Sequence, residues 1–227
     1  MGFDQYALNY EAELCRGLRW SGQQPDWFAE RRVSCVREHC HKSGLAPRRV
    51  LEFGCGVGIH VPFLRAAFPE SQIIGLDISQ DSLAVAAGRH AGRHVCFSTP
   101  EEFRQRHTVD LVYVNGVFHH IAPAEHHHWL RRIRDYMAPG ALLAVFDNNP
   151  LSLPARWVMH SIPFDQDTIM VNPRRFARLM RATGFGRPQL RFHFLFPRAL
   201  SCLHGIESLV ARLPLAAQFS LLACREE

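Results

Sequence analysis

A short apolar run that empties into three closely spaced glycines constrains this chain more than any other feature. Val50-Leu51-Glu52-Phe53 leads into Gly54-Cys55-Gly56-Val57-Gly58-Ile59, and Asp77 closes the next apolar run, Gln72-Ile73-Ile74-Gly75-Leu76. A strand, a glycine turn and an amphipathic segment in that order make one unit of a parallel α/β sheet. Its ligand lies beyond the carboxyl end of the strand. Gly54 and Gly56 reach φ values closed to other residues and, lacking side chains, let the backbone approach that ligand. An acid after the second strand stands where ribose hydroxyls need an acceptor.

Two ligand grammars share this layout. The dinucleotide turn, G-x-G-x-x-G, requires a glycine where Ile59 stands, and it rests a pyrophosphate on the helix N-terminus. Glu52, two residues before the first glycine, would repel a pyrophosphate and suits an ammonium group. The E-x-G-x-G-x-G run from Glu52 to Gly58 resembles motif I of the class I S-adenosylmethionine-dependent methyltransferases, and the resemblance extends over residues 48–147. It implies S-adenosyl-L-methionine as cofactor. The turn (Glu52, Gly54, Cys55, Gly56, Gly58) would hold its methionine end, and Asp77 with Ile78 its ribose. Ser98 and Thr99 occupy the place near the adenine where the family often has an acid. Asn115-Gly116-Val117-Phe118-His119-His120-Ile121 is similar to the segment after strand four in small-molecule methyltransferases and lacks an N-P-P-Y motif; the resemblance implies that Asn115, Gly116, Val117 and His120 also meet the cofactor. The competing reading of the glycines is tight strand–helix packing alone.

The periodicity supports a doubly wound, mostly parallel, seven-stranded Rossmann-like sheet in an α/β chain. Strands are expected at 49–53, 72–77, 95–97, 109–115, 141–146, through Phe192, Phe194 and Phe196, and at 218–224. The last two are expected as an antiparallel edge hairpin. Helices are expected at 3–19, 25–42, from Gly58, from a Ser79 cap to Gly88, from the Thr99-Pro100-Glu101-Glu102 capping box, at 123–137, and between Asn172 and Gly184. Residues 1–227 read as one domain. It divides into an N-terminal helical cap (1–44), a cofactor-binding core (45–147), an acceptor-side helical insertion after strand five (148–185) and C-terminal edge strands (186–227).

Methyl transfer from a sulfonium needs alignment and a dry site, with a base only where the acceptor sheds a proton. Histidine titrates near neutrality, so His120 and His119 are the catalytic candidates. Tyr10 is a cofactor-side candidate. Tyr6, Phe118, Asn148, His160, Phe164 and Asp165 are acceptor-side candidates. Trp157, Phe192 and Phe194 are further aromatic ones. The His126-His127-His128 run cannot put all three rings on one helix face and reads as surface.

Composition excludes more than it selects. The chain has 227 residues, 47% hydrophobic and 21% charged, which suits one α/β domain with a sizeable core. No apolar run approaches a membrane span, and Met1-Gly2-Phe3-Asp4-Gln5 lacks the pattern of a signal peptide, so a cytoplasmic location is expected. The seven cysteines are scattered without a C-x-x-C pair, so neither a disulfide framework nor a metal site is expected. The net charge of +5 comes from dispersed arginines, Lys42 being the only lysine. A nucleic-acid surface would cluster them, so the expected partner is a small-molecule acceptor; a homodimer stays open. The alternatives are an RNA methyltransferase and a non-catalytic, cofactor-binding scaffold.

Overall fold

The computed structural model describes residues 10–166 and 168–227. In chain order the elements are α1 (Tyr10–Leu18), α2 (Pro25–Ser43), β1 (Arg49–Phe53), α3 (Val61–Ala67), β2 (Gln72–Leu76), α4 (Gln80–His90), β3 (Val95–Ser98) and β4 (Val109–Asn115). They continue with α5 (His126–Tyr136), β5 (Met137–Asn148), α6 (Leu153–Ser161), α7 (Pro173–Ala182), β6 (Gln189–His193), α8 (Glu207–Val210) and β7 (Gln218–Cys224). The strands form one sheet ordered β3-β2-β1-β4-β5-β7-β6. β1 to β5 are joined by parallel ladders, and β7 runs antiparallel between β5 and β6. From β1 the chain moves outward through β2 to β3, then returns to lay β4 on the other side of β1. That reversal opens a crevice beyond the carboxyl ends of β1 and β4.

The central strands are apolar on both faces because helices cover both faces. Leu51, Phe53, Val112, Val114 and Val145 share one cluster with Leu130 and Ile133 of α5 and Phe176 and Met180 of α7. Val50, Leu111, Tyr113, Ala144 and Phe146 share the other with Val33 and Val36 of α2 and Leu64 of α3. Local chemistry sets the helix ends. Pro25 opens α2, and Gly44, at φ +68°, closes it with its N–H on the carbonyls of Cys40 and His41. The Asn172 side chain accepts from the N–H groups of Arg174 and Arg175 at the start of α7. α1 bridges two elements at the crevice end: Gly17 packs against Ile162 after α6, and Glu11 pairs with Arg89 of α4.

Several expected elements differ. The capping box forms, with the Thr99 N–H on Glu102 Oε2 (3.2 Å) and the Glu102 N–H on Thr99 Oγ1 (3.3 Å), but no helix follows it. No amphipathic run follows Glu102 to bury, and a lone turn does not propagate. Pro139-Gly140, expected to stop a helix, instead lies inside β5, where Gly140 at φ +76° accommodates an irregular register with β4. β6 stops at His193, because Phe194 adopts φ +66° and turns the chain. The edge pair is therefore no tight hairpin; residues 194–217, including α8, separate its strands. His126 is buried rather than on the surface, its Nε2 meeting the carbonyls of Phe118 and Ile121. Of the expected helix 3–19, the part before Tyr10 lies outside the described residues.

Two glycines make the packing testable in opposite directions. Gly88 lies on the exposed side of α4 with nothing within 4 Å of an added Cβ, so Gly88→Ala should stabilise the fold by about 1 kcal/mol. Gly54 sits at φ +74°, and its Cβ would come within 2.3 Å of Val117 Cγ2. Gly54→Ala should therefore cost about 1–3 kcal/mol. Urea unfolding midpoints of the two variants should move to opposite sides of the parent.

Candidate functional site

The turn after β1 shows which of its glycines pack and which face a ligand. All three have positive φ: +74° at Gly54, +51° at Gly56 and +82° at Gly58. Gly54 is glycine because the β4 exit lies against it at Val117, and Gly58 because His90 of α4 would meet a Cβ at 2.9 Å. Gly56 differs, since a Cβ there meets nothing within 4 Å. It lines a cavity of about 280 Å³ in the crevice. Asp77 fixes this geometry. Its Oδ2 accepts the Gly56 N–H at 2.7 Å and its Oδ1 the Ser79 N–H at 2.9 Å. A carboxylate accepts up to roughly four donors, so bracing the turn is compatible with meeting ligand hydroxyls on the cavity wall.

The cavity lining combines apolar and polar groups. Phe53, Leu76, Ile78, Pro100, Val117 and Trp129 supply apolar wall, while His60, Asn115 and His120 supply polar groups. The Trp129 ring lies 5.5 Å from that of Phe53, with the Arg132 guanidinium 5.3 Å from its centroid. Asn115 Oδ1 is buried and has no hydrogen-bond partner. An S-adenosylmethionine-like molecule fits this set. An open cradle stands at Gly56, an acid on the wall suits sugar hydroxyls, a planar apolar wall suits a base, and an unpartnered acceptor suits an ammonium group.

Glu52 reaches the cavity only through another residue. It is 1% exposed, and its Oε1 meets His60 Nδ1 at 2.8 Å. Arg32, a pure donor, approaches His60 Nε2 at 3.3 Å, which puts the imidazole proton on Nδ1, toward Glu52. Arg32 also donates to Gln218 Oε1 (2.9 Å), and Gln218 Nε2 donates to Asn148 Oδ1 (3.1 Å). This relay crosses from β1 through α2 to β7 and the end of β5.

A second cluster forms where β4 and β5 end. His119 Nδ1 lies 2.7 Å from Asp147 Oδ1, and its Nε2 lies 3.3 Å from Asp165 Oδ1. His120 Nε2 lies 3.3 Å from the same Asp165 oxygen. Burial alone would lower the His119 pKa, but the charge and hydrogen bond of Asp147, joined by those of Asp165, raise it to about 10. Burial holds His120 below the ordinary histidine range, helped by the charge of His119 and opposed by the hydrogen bond to Asp165. Burial would raise Asp165, yet its bonds to both histidines keep it below the ordinary carboxylate range. His119, His120 and Asp165 could together hold a metal ion.

The structure therefore gathers Gly54, Cys55, Gly56, Asp77, Ile78, Asn115, Gly116, Val117 and His120 on one cavity wall, with His119, Asp165 and Glu52 behind it. Other expected residues stand elsewhere. Phe118 is fully buried, its ring 4.6 Å from Phe176, because the short helical turn after β4 points it into the core. Gly58 packs on α4. Ser98 and Thr99 are occupied by the capping turn, and Pro100 takes their place on the wall. Asn148 is engaged by Gln218, and His160 is exposed on α6. Phe164 is buried in a 3-10 turn beside Asp165. Tyr10 begins α1, and Tyr6 lies outside the described residues. His60 and Trp129 were not among the expected site residues. Only the position of His60 just past the glycine turn hinted at it, and nothing in the spacing of Trp129 pointed to β1.

With this geometry in view, the likenesses to known proteins are informative. Residues 51–143 match the Methyltransferase domain family. The chain is 28% identical over 148 residues to trans-aconitate 2-methyltransferase of Rhodopseudomonas palustris, an alignment covering 65% of this chain and 57% of the relative. The chain thus spans less than two thirds of that relative's length. Its fold is similar to a SAM-dependent methyltransferase from Archaeoglobus fulgidus, with TM-score 0.62 and 17% identity over 85% of this chain and 94% of that one. It is also similar to Haemonchus contortus phosphoethanolamine N-methyltransferase 2 in complex with S-adenosyl-L-methionine. There the TM-score is 0.56 and identity 16%, over 79% of this chain and 49% of that one. No helix among the described residues is long and apolar enough to cross a membrane. The match over residues 51–143 and the likeness of fold to solved SAM-dependent methyltransferases agree with the glycine cradle, the acid after β2 and the sheet order.

Proposed function

We propose that this protein transfers a methyl group from S-adenosylmethionine to a small-molecule acceptor that enters past His120. The observation that carries the reading is the single cavity joining open Gly56, Asp77 and Asn115 to His120. When bound, S-adenosylmethionine supplies an electrophilic methyl group on a sulfonium centre. The residues of this chain hold, align and exclude water. Asp77 and the Gly54–Gly56 backbone take the ribose side, Trp129 with Phe53, Pro100 and Ile78 the base, and Asn115 the ammonium. The buried carboxylate of Glu52, relayed through His60, adds negative potential beside a cationic ligand. His120, on the cavity wall, meets the acceptor at its reacting atom. The name of the curated relative puts a carboxylate-bearing acceptor with an oxygen nucleophile first, ahead of nitrogen or carbon nucleophiles. The dispersed arginines argue against RNA as acceptor.

Calorimetry with S-adenosylhomocysteine tests the cofactor half. Asp77→Ala should weaken binding roughly ten- to hundredfold, since it removes charge-assisted hydrogen bonds. Trp129→Ala should weaken it roughly tenfold, while Trp129→Phe keeps most of the affinity. Gly56→Val should remain folded by circular dichroism yet lose binding; parent-like affinity in that variant would refute the cradle. For the acceptor half, His120→Ala should lower turnover by roughly tenfold to a hundredfold by misplacing the acceptor, with little change in cofactor affinity. An unaltered rate removes His120 from the chemistry.

A further inference from the structure

We propose that His119, His120 and Asp165 form a binding site for a divalent transition ion of the zinc class, open on the side of the methyl-transfer cavity. One ligand atom from each of the three residues lies within 4.8 Å of the others, and Nε2 of each histidine is 3.3 Å from Oδ1 of Asp165. Bonds of about 2.0–2.2 Å at a tetrahedral angle place ligand atoms ~3.3–3.5 Å apart, so the set needs little rearrangement to close on an ion. Those separations are long for a charge-assisted hydrogen bond, which shortens to about 2.7–2.9 Å.

The surroundings match a metal centre in two further ways. His119 turns its other nitrogen to Asp147 at 2.7 Å, the carboxylate–histidine arrangement that orients an imidazole for a metal and makes it a better ligand. The side chains of Asp147 and Asp165 are 1% and 8% exposed. Among the described residues no lysine or arginine lies within ion-pair distance of either. A dication would balance the charge of these two carboxylates. Two imidazoles and one carboxylate leave a fourth position, and His120, a wall residue 17% exposed, turns that position toward the cavity. Three protein ligands with one open place is the pattern of a site that takes a ligand oxygen. On the reading above, that oxygen is the acceptor's, which the ion would fix and polarise.

The test uses the full-length protein stripped with a chelator. Zn²⁺ is titrated by calorimetry and Co²⁺ by visible absorption, whose ligand-field bands report coordination geometry. One site per chain is expected, with tetrahedral-type cobalt bands. His119→Gln and Asp165→Asn should each weaken it at least tenfold, and Asp147→Asn should weaken it by roughly ten- to hundredfold through His119. His160→Ala, on the exposed face of α6, should leave it unchanged and serves as control for adventitious histidine binding. Should the buried variants unfold, His120→Ala, at the cavity rim, removes a ligand while circular dichroism checks the fold. No stoichiometric site, or a site indifferent to His119 and His120, overturns the proposal. S-adenosylhomocysteine binding, measured on the same samples, separates the outcomes. Zinc binding lost with cofactor binding intact refutes the ion alone. Zinc binding intact without cofactor binding refutes the methyltransferase reading.

Discussion

One carboxylate ties the site to the fold. Asp77 immediately follows β2, yet it accepts the amide of Gly56 in the turn after β1. The two strands are already in register, with Phe53 opposite Leu76, and the Gly54 and Cys55 amides also reach back to the Leu76 carbonyl. The glycine turn is therefore held by the neighbouring strand rather than by its own helix. Its glycines reach positive φ without strain, and these bonds select that conformation from the others open to them. Glycine at 54 lets the β4 exit close in, and glycine at 56 keeps the crevice open. The same three-residue geometry thus performs packing on one side and leaves ligand space on the other.

From that anchor, polar contacts spread across the carboxyl end of the sheet. Glu52 stands opposite Tyr113 in the β1–β4 register, and both are buried with an unpartnered oxygen. Removing one partner from a buried pair such as Glu52–His60 costs about 3–5 kcal/mol, whereas a well-packed apolar replacement of the whole pair can be neutral. The relay through Arg32 to Gln218 therefore does not explain stability. It does connect α2, β1, β7 and the end of β5 into one frame, so that the N-terminal helices and the antiparallel edge approach the crevice in a fixed relation.

Legibility in the sequence followed chain distance. β1, β2, β4 and β7 could be read nearly to the residue, since each is a short apolar run bounded by turn residues. Proline and asparagine at helix starts marked α2 and α7 for the same local reason. Failures came where tertiary demands overrode local chemistry. The Thr99 capping box had nothing to cap, Gly140 bent a strand instead of ending a helix, and Phe194 left the sheet at positive φ. In the site, Gly56 and Asp77 were legible because two consecutive βα units carry them. Trp129 was not, because its partner Phe53 lies on a strand remote in sequence. Phe118 and His120 share one turn, and only the three-dimensional direction of that turn separates a core ring from a wall ring.

The histidine–aspartate cluster is the extreme case of that rule. Its ligand atoms come from the turn after β4 and from the 3-10 turn after α6, while Asp147, at the end of β5, supports them from behind. Spacing patterns detect metal sites whose ligands sit within one motif, and an adjacent His-His pair with a distant aspartate forms none. The Ile169 amide donates to the His119 carbonyl at 3.1 Å, fastening the segment after Asp165 onto the β4 exit. That bond keeps Asp165 beside both histidines although the sheet places no strand between them. Two buried carboxylates facing imidazoles weaken a fold unless something compensates their charge. The insertion after β5 thus delivers an acid to the two histidines behind the cavity wall.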